Sequence, residues 1–182
     1  MALIENNLND LAFAVENEIA CNERPIVYRA LRDSAREFCI KSESLIGRSF
    51  YPNESQINTY DAAGSADAFV HRILTVAYLQ NGYKYELDPD QYRLLDTNMV
   101  LLKQEKKDVD QIYICSVLIP NPGSDNLPEE LVYRYRDGLI YGACMRIARQ
   151  AEKPWFSPQM EMYYRGLFLS EVTRAIANTE VD

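Results

Sequence analysis

The spacing of apolar residues changes twice along this chain, and that change limits what it can fold into. At both ends apolar side chains recur at helical intervals, whereas turn-forming pairs crowd the stretch between Gly47 and Leu127. They are Pro52-Asn53, Gly64-Ser65, Asn81-Gly82, Asp88-Pro89-Asp90 and Pro120-Asn-Pro-Gly-Ser124. A 3.6-residue period buries one stripe of a helix and a two-residue period one face of a strand. Helices at both termini must then pack on each other to bury their stripes, with the strands as an excursion from that bundle. The expected fold is α+β: a small helical bundle formed by the N- and C-terminal helices, with a β-strand-rich insertion between them. The segments are 1–46, 47–126 and 127–182, one structural domain with an insertion.

Four helices are expected. Leu8, Leu11, Ala12, Val15 and Ile19 mark a first one over 8–18. Pro25 suits the opening turn of a second, whose stripe is Val27, Leu31, Ser34/Ala35 and Phe38. The opposite face carries Arg29, Arg32, Asp33, Arg36 and Glu37, either solvated or a charged contact surface. Pro128 opens a third helix running to about Gln150, with Glu129 and Glu130 at the positive end of its dipole. Its inner face is Leu131, Tyr135, Leu139, Gly142 and Met145, and Gly138-x-x-x-Gly142 is either incidental or a packing notch. Ser157-Pro158 caps a fourth helix to about Ala177, with Met160, Tyr164, Leu167, Phe168, Val172 and Ala175/Ile176 inside.

Strands are expected at 55–60, 69–80, 83–87, 92–95, 98–103 and 111–119. Asn81-Gly82 between two of them is a strong hairpin signal, because a type I′ turn needs positive φ at both central residues. Ile112–Ile119 is apolar on both faces and belongs in the middle of its sheet. Glu105–Asp110 reads as an exposed hairpin loop.

The search for chemistry returns little. Cys21, Cys39, Cys115 and Cys144 lie 18, 76 and 29 residues apart, with no C-x-x-C pair and a lone histidine to join them, so no metal site is expected. Asp88-Pro89-Asp90 has the carboxylates to hold a hard cation, but a proline turn with acidic flanks forms for conformational reasons. Phosphate-loop, dinucleotide, nucleophile-elbow and zinc-protease signatures are missing, and no cofactor or catalytic set is assigned. A small enzyme would depend on His71. Met1–Asn7 has neither a basic n-region nor an apolar h-region, and no apolar run spans a bilayer, so no membrane partner is expected.

Charge is uneven. The chain carries 19 Lys plus Arg against 27 Asp plus Glu, a net −8. Residues 1–23 hold five acids and no base, while 24–50 hold six bases and three acids. Tight duplex binding needs a surplus of cations on one surface, which this balance disfavours; an acidic wall lets DNA slide past. Five of the 13 tyrosines, Tyr133, Tyr135, Tyr141, Tyr163 and Tyr164, crowd the last two helices, where they serve as core or as protein interface.

Several ordered stretches are familiar: Arg24-Pro-Ile-Val-Tyr-Arg-Ala-Leu-Arg-Asp-Ser-Ala-Arg-Glu-Phe-Cys39, Leu118-Ile-Pro-Asn-Pro122 with Leu127-Pro128, Asp137-Gly-Leu-Ile-Tyr-Gly-Ala-Cys144, and Lys153-Pro-Trp155 with Tyr163 and Phe168. Together, over about residues 10–178, they resemble the head-to-tail adaptor (connector) proteins of tailed bacteriophages. The resemblance implies two N-terminal helices, a β-rich insertion, and two C-terminal helices joined by a short Pro-Trp link. It also implies a virion structural protein of the neck, made in the host cytoplasm and forming a ring, commonly dodecameric, below the portal protein. Its partners would be the portal, tail or neck proteins and copies of itself, with genomic DNA only passing through the channel. Arg29, Arg32 and Arg36 are the expected charged subunit contacts. The end of the last helix, Asn178 and Thr179 with Glu180, Val181 and Asp182, resembles the adaptor segment that reaches the portal. Trp155 is expected to anchor helices. The competing reading is a non-viral intracellular protein-interaction module with the same acidic α+β composition.

Overall fold

The computed structural model describes residues 7–53, 57–103, 109–124 and 126–179. Among the described residues two helices are followed by seven strands and then two more helices, α+β as the periodicities require. The chain divides into two compact units, one of residues 1–44 and 120–182 and the other of 45–119.

The first unit is helical. Helix α1 (Asn7–Glu18) buries Leu8, Leu11, Ala12 and Val15. Helix α2 (Arg24–Ser42) buries Val27, Ala30, Leu31, Ser34, Ala35, Phe38 and Cys39. It stops at Glu43, which takes a left-handed φ of 50° while its N–H bonds the Cys39 carbonyl. Helix α3 (Glu129–Ala148) packs against α1, α2 and α4 (Pro158–Thr179) and is the hub of the unit. It begins one residue later than expected, with Pro128 as its cap, and departs from helical geometry at Tyr135 (φ −129°, ψ 29°). Ser157 caps α4, its Oγ accepting from the Met160 N–H at 3.3 Å.

Glycines explain how close α3 can come to its neighbours. A Cβ on Gly138 would stand 2.7 Å from the Phe38 ring, and one on Gly142 would stand 2.1 Å from Ser34 Oγ and 2.8 Å from the Phe168 ring. The Gly138/Gly142 pair is therefore a packing notch for both α2 and α4. Across it Ser34 Oγ donates to the Leu139 carbonyl at 2.9 Å. Phe38 meets Phe168 edge to face at 6.0 Å and Tyr135 at 5.1 Å. One expected inner residue of α4 lies outside: Ile176 is 40% exposed, because Ala175 beside it takes the core position.

The second unit holds a four-stranded sheet in the order β1-β7-β3-β4 and a three-stranded one in the order β2-β6-β5. The strands are β1 (Ile46–Pro52), β2 (Thr59–Asp61), β3 (Ala68–Gln80), β4 (Tyr83–Glu86), β5 (Tyr92–Leu94), β6 (Met99–Leu102) and β7 (Gln111–Pro120). As its two apolar faces require, β7 lies inside the sheet between β1 and β3. Asn81 and Gly82 take φ values of 51° and 79°, and Gln80 pairs with Tyr83 across the turn. Strand β1 is not among the expected strands; of the strand expected at 55–60, residues 55 and 56 lie outside the described residues and β2 starts at Thr59. Of the expected loop at 105–110, residues 105–108 lie outside the described residues; Val109 is buried, not exposed, and Asp110 accepts from the Asn81 N–H at 2.7 Å.

All four cysteines are buried as free thiols. Burial pushes the Cys144 thiol up to about 12 and raises Cys39 and Cys21 as well. The nucleophile is the thiolate. Ellman's reagent at pH 8 is therefore expected to leave Cys39 and Cys144 unmodified in the native chain and to modify both in urea; rapid native labelling of either would refute their placement.

Candidate partner-binding surface

The three arginines of α2 expected as subunit contacts fall into two situations. Arg29 is exposed. Arg32 and Arg36 are half-buried and reach back to their own chain: Arg32 Nε donates to the Ser124 carbonyl at 3.0 Å and an Arg36 guanidinium N–H to the Pro120 carbonyl at 3.1 Å. These two side chains bind carbonyls of the segment that returns the chain from β7 to α3. Asn7 completes the clamp, donating to the Leu127 carbonyl at 2.7 Å and accepting from its N–H at 3.0 Å.

At the far end of α4, Asn178 is exposed and Thr179 is half-buried with its hydroxyl bonded to the Ala175 carbonyl at 2.9 Å. Glu180, Val181 and Asp182 lie outside the described residues. Trp155 is half-buried in the link between α3 and α4. Its Nε1–H meets Gln150 at 3.3 Å, the Lys153 ammonium sits 5.3 Å from the ring centroid, and Lys153 also pairs with Glu23 at 3.6 Å. Lys153 thus ties the link to the start of α2, while the Trp155 ring itself meets Gln150 and Lys153 within the link.

A second group of cations was not singled out from the sequence. Lys41 of α2, Arg146 of α3, Arg149 just beyond α3 and Arg165 of α4 line a cleft of about 350 Å³, with Phe168 and Leu169 as apolar lining. Two carboxylates serve the four cations. Glu37 pairs with Lys41 at 3.7 Å and with Arg146. Glu161 pairs with Arg149 at 3.2 Å and with Arg165. The cleft therefore carries a surplus of two positive charges in a chain whose net charge is −8.

The hydrogen bond from Arg165, assisted by that from Arg149, holds the Glu161 carboxyl below its ordinary value of 4.5. A carboxylate with a depressed folded value stabilises the fold above its unfolded value, and that contribution is lost as pH falls through the folded one. Glu161→Gln is therefore expected to lower stability at pH 7 and to flatten the loss of stability below pH 4.5; urea midpoints at pH 7, 4.5 and 3 measure it. Parallel wild-type and mutant curves would refute the pairing.

The remaining candidates are dispersed. His71 is exposed on β3. Asp88 and Asp90 are exposed in the turn after β4, and no group of three or more metal-ligating side chains forms among the described residues. Tyr135 and Tyr164 are buried, Tyr141 is half-buried, and Tyr133 and Tyr163 are 91% and 59% exposed. Burial raises the Tyr164 phenol, which donates to Glu18 at 2.9 Å and so ties α4 to α1. No helix among the described residues is long and apolar enough to cross a membrane.

No family model matches the chain, and no curated protein matches it. Among solved structures it is similar to a chain from the neck of an empty GTA particle computed with C6 symmetry, at 11% identity and a TM-score of 0.34, with 92% of each chain covered.

Proposed function

We propose that this protein is a structural component of a phage-type virion neck, a head-to-tail adaptor that assembles as a ring, dodecameric in the family it resembles, below the portal protein and docks the tail. The observation that carries the reading is the organisation of the chain. Residues 1–44 and 120–182 fold as one helical unit, residues 45–119 form a single strand-rich excursion, and α3 is joined to α4 through Lys153-Pro-Trp155. That is the arrangement the sequence resemblance implies for an adaptor, and it rests on the units rather than on the distant GTA-particle likeness.

In this reading the role is mechanical, with no catalytic step. The acidic chain forms part of a channel wall past which DNA slides, because like charge keeps phosphates from sticking. Affinity capture of the tagged chain from phage-producing cells, followed by mass spectrometry and imaging, tests it. Recovery of portal and neck or tail proteins, and a ring in projection, is the expected result. Enrichment of a host enzyme or regulator with no virion protein would favour the interaction-module reading instead.

A further inference from the structure

The cations expected to meet a neighbouring subunit, Arg32 and Arg36, are engaged with carbonyls of their own chain. The cleft between α2, α3 and α4 keeps an excess of positive charge after its own pairings are made. Its four cations share two carboxylates, and Phe168 and Leu169 supply an apolar lining. Such a site is complementary to a ligand with two carboxylates beside an apolar group. It does not suit a neutral or basic partner, because each cation would lose water without gaining an anion.

The described residues contain a segment of that chemistry. Asp88-Pro89-Asp90 is exposed after β4, with one apolar ring between two carboxylates. The turn is held from within: the Gln91 N–H bonds the Asp88 carbonyl at 2.9 Å, the Asp88 N–H bonds Gln91 Oε1 at 2.8 Å, and the Lys103 ammonium bonds the Asp90 carbonyl. Proline and these bonds fix the backbone before any partner arrives, so little conformational freedom is lost on docking. Both side-chain carboxylates remain exposed.

We infer that the cleft lined by Lys41, Arg146, Arg149 and Arg165 receives the Asp88-Pro89-Asp90 turn of a second copy of this chain. Two carboxylates meet two surplus cations, and the proline ring faces Leu169, the exposed apolar residue of the lining. Cleft and turn are different surfaces, so the contact is heterologous, the type that repeats head to tail and closes into a ring when the rotation allows. The inference deepens the ring proposal and rests on it. The contact is mainly electrostatic and weakens as salt rises.

Disulfide trapping tests it. A chain with Asp90→Cys and a size-tagged chain with Arg149→Cys are mixed at high concentration and oxidised; the native thiols are buried and do not compete. The expected product is the mixed dimer, formed about ten-fold or more faster than with Asp96→Cys in place of Asp90→Cys, on the scale of one lost charge-complementary contact. Charge reversal provides the second arm. Lys41→Glu/Arg149→Glu or Asp88→Lys/Asp90→Lys alone should weaken association to the same degree, and both sets in one chain should restore it. Thermal melts of each variant separate loss of contact from loss of fold. Equal trapping at Asp96, a cross-link within one chain, no trapping, or failure of the combined reversal to restore association overturns the contact. If the chain still rings on the portal, the ring proposal survives that failure; if no ring forms, both fall.

Discussion

Gly142→Ala is expected to destabilise the helical unit by about 2 kcal/mol, although alanine is the better helix former by about 1 kcal/mol in an unconstrained helix. The new methyl would stand 2.1 Å from Ser34 Oγ and 2.8 Å from two carbons of the Phe168 ring, and neither neighbour has free space. Overpacking of this kind costs about 1–3 kcal/mol. Turning Ser34 away also breaks its bond to the Leu139 carbonyl, worth about 1 kcal/mol. Those two losses exceed the propensity gain. Ser34→Ala in the same chain removes the closer obstacle and should recover about 1 kcal/mol, since the Leu139 carbonyl keeps an intrahelical partner. The matched control is Gly166→Ala, on the exposed side of α4 with nothing within 4 Å, which should stabilise by up to about 1 kcal/mol. Urea unfolding followed by Trp155, the chain's one tryptophan and a member of the helical unit, measures all three variants against the native chain. Equal midpoints for Gly142→Ala and Gly166→Ala would show that α3 does not approach α2 and α4 as closely as described.

The elements legible in the sequence are those whose buried faces are apolar. The stripes of α1, α2 and α3 and the two-sided run of β7 announce themselves, and Asn81-Gly82 can satisfy a turn that most pairs cannot. Strand β1 escapes for a physical reason: its buried positions are Gly47 and Ser49, while Phe50 is 56% exposed. Its hydrophobic alternation is inverted because Leu118 of β7 fills the space over Gly47, with Cδ1 2.8 Å from where a Cβ would stand. No periodicity rule finds a strand whose neighbour supplies the side chain.

The charged surface shows the same limit at longer range. Arg29, Arg32 and Arg36 stand out in the sequence because they cluster within one helix. The cleft cations are spread from Lys41 to Arg165 and converge only when α2, α3 and α4 pack. Their excess over Glu37 and Glu161 is a property of the assembled bundle. Conversely, Arg32 and Arg36 look free in a helical projection, yet each finds a carbonyl more than 80 residues away.

Phe168→Ala is expected to cost about 3–5 kcal/mol, the range for emptying a buried aromatic site. The ring is 1% exposed, lies edge-on to Phe38 at 6.0 Å and lines the Gly142 side of α3, so its loss opens a void where three helices meet. Those helices cannot collapse into it freely, because the Ser34–Leu139 bond and the Glu161–Arg149 pair, which joins α4 to the end of α3, fix the flanks. Against a total stability of about 5–15 kcal/mol, that is a large fraction. Phe168→Ala also makes a prediction that separates packing from propensity. The ring is one of the two obstacles to a methyl at Gly142, so Gly142→Ala should cost less in the Phe168→Ala background than in the native chain. The double mutant then falls short of the summed losses by about 0.5–3 kcal/mol, the range for residues in direct contact. A double-mutant cycle in urea measures the coupling. Strict additivity would mean that the two positions do not share the space between α3 and α4, which would remove the glycine notch as the reason those helices pack so closely.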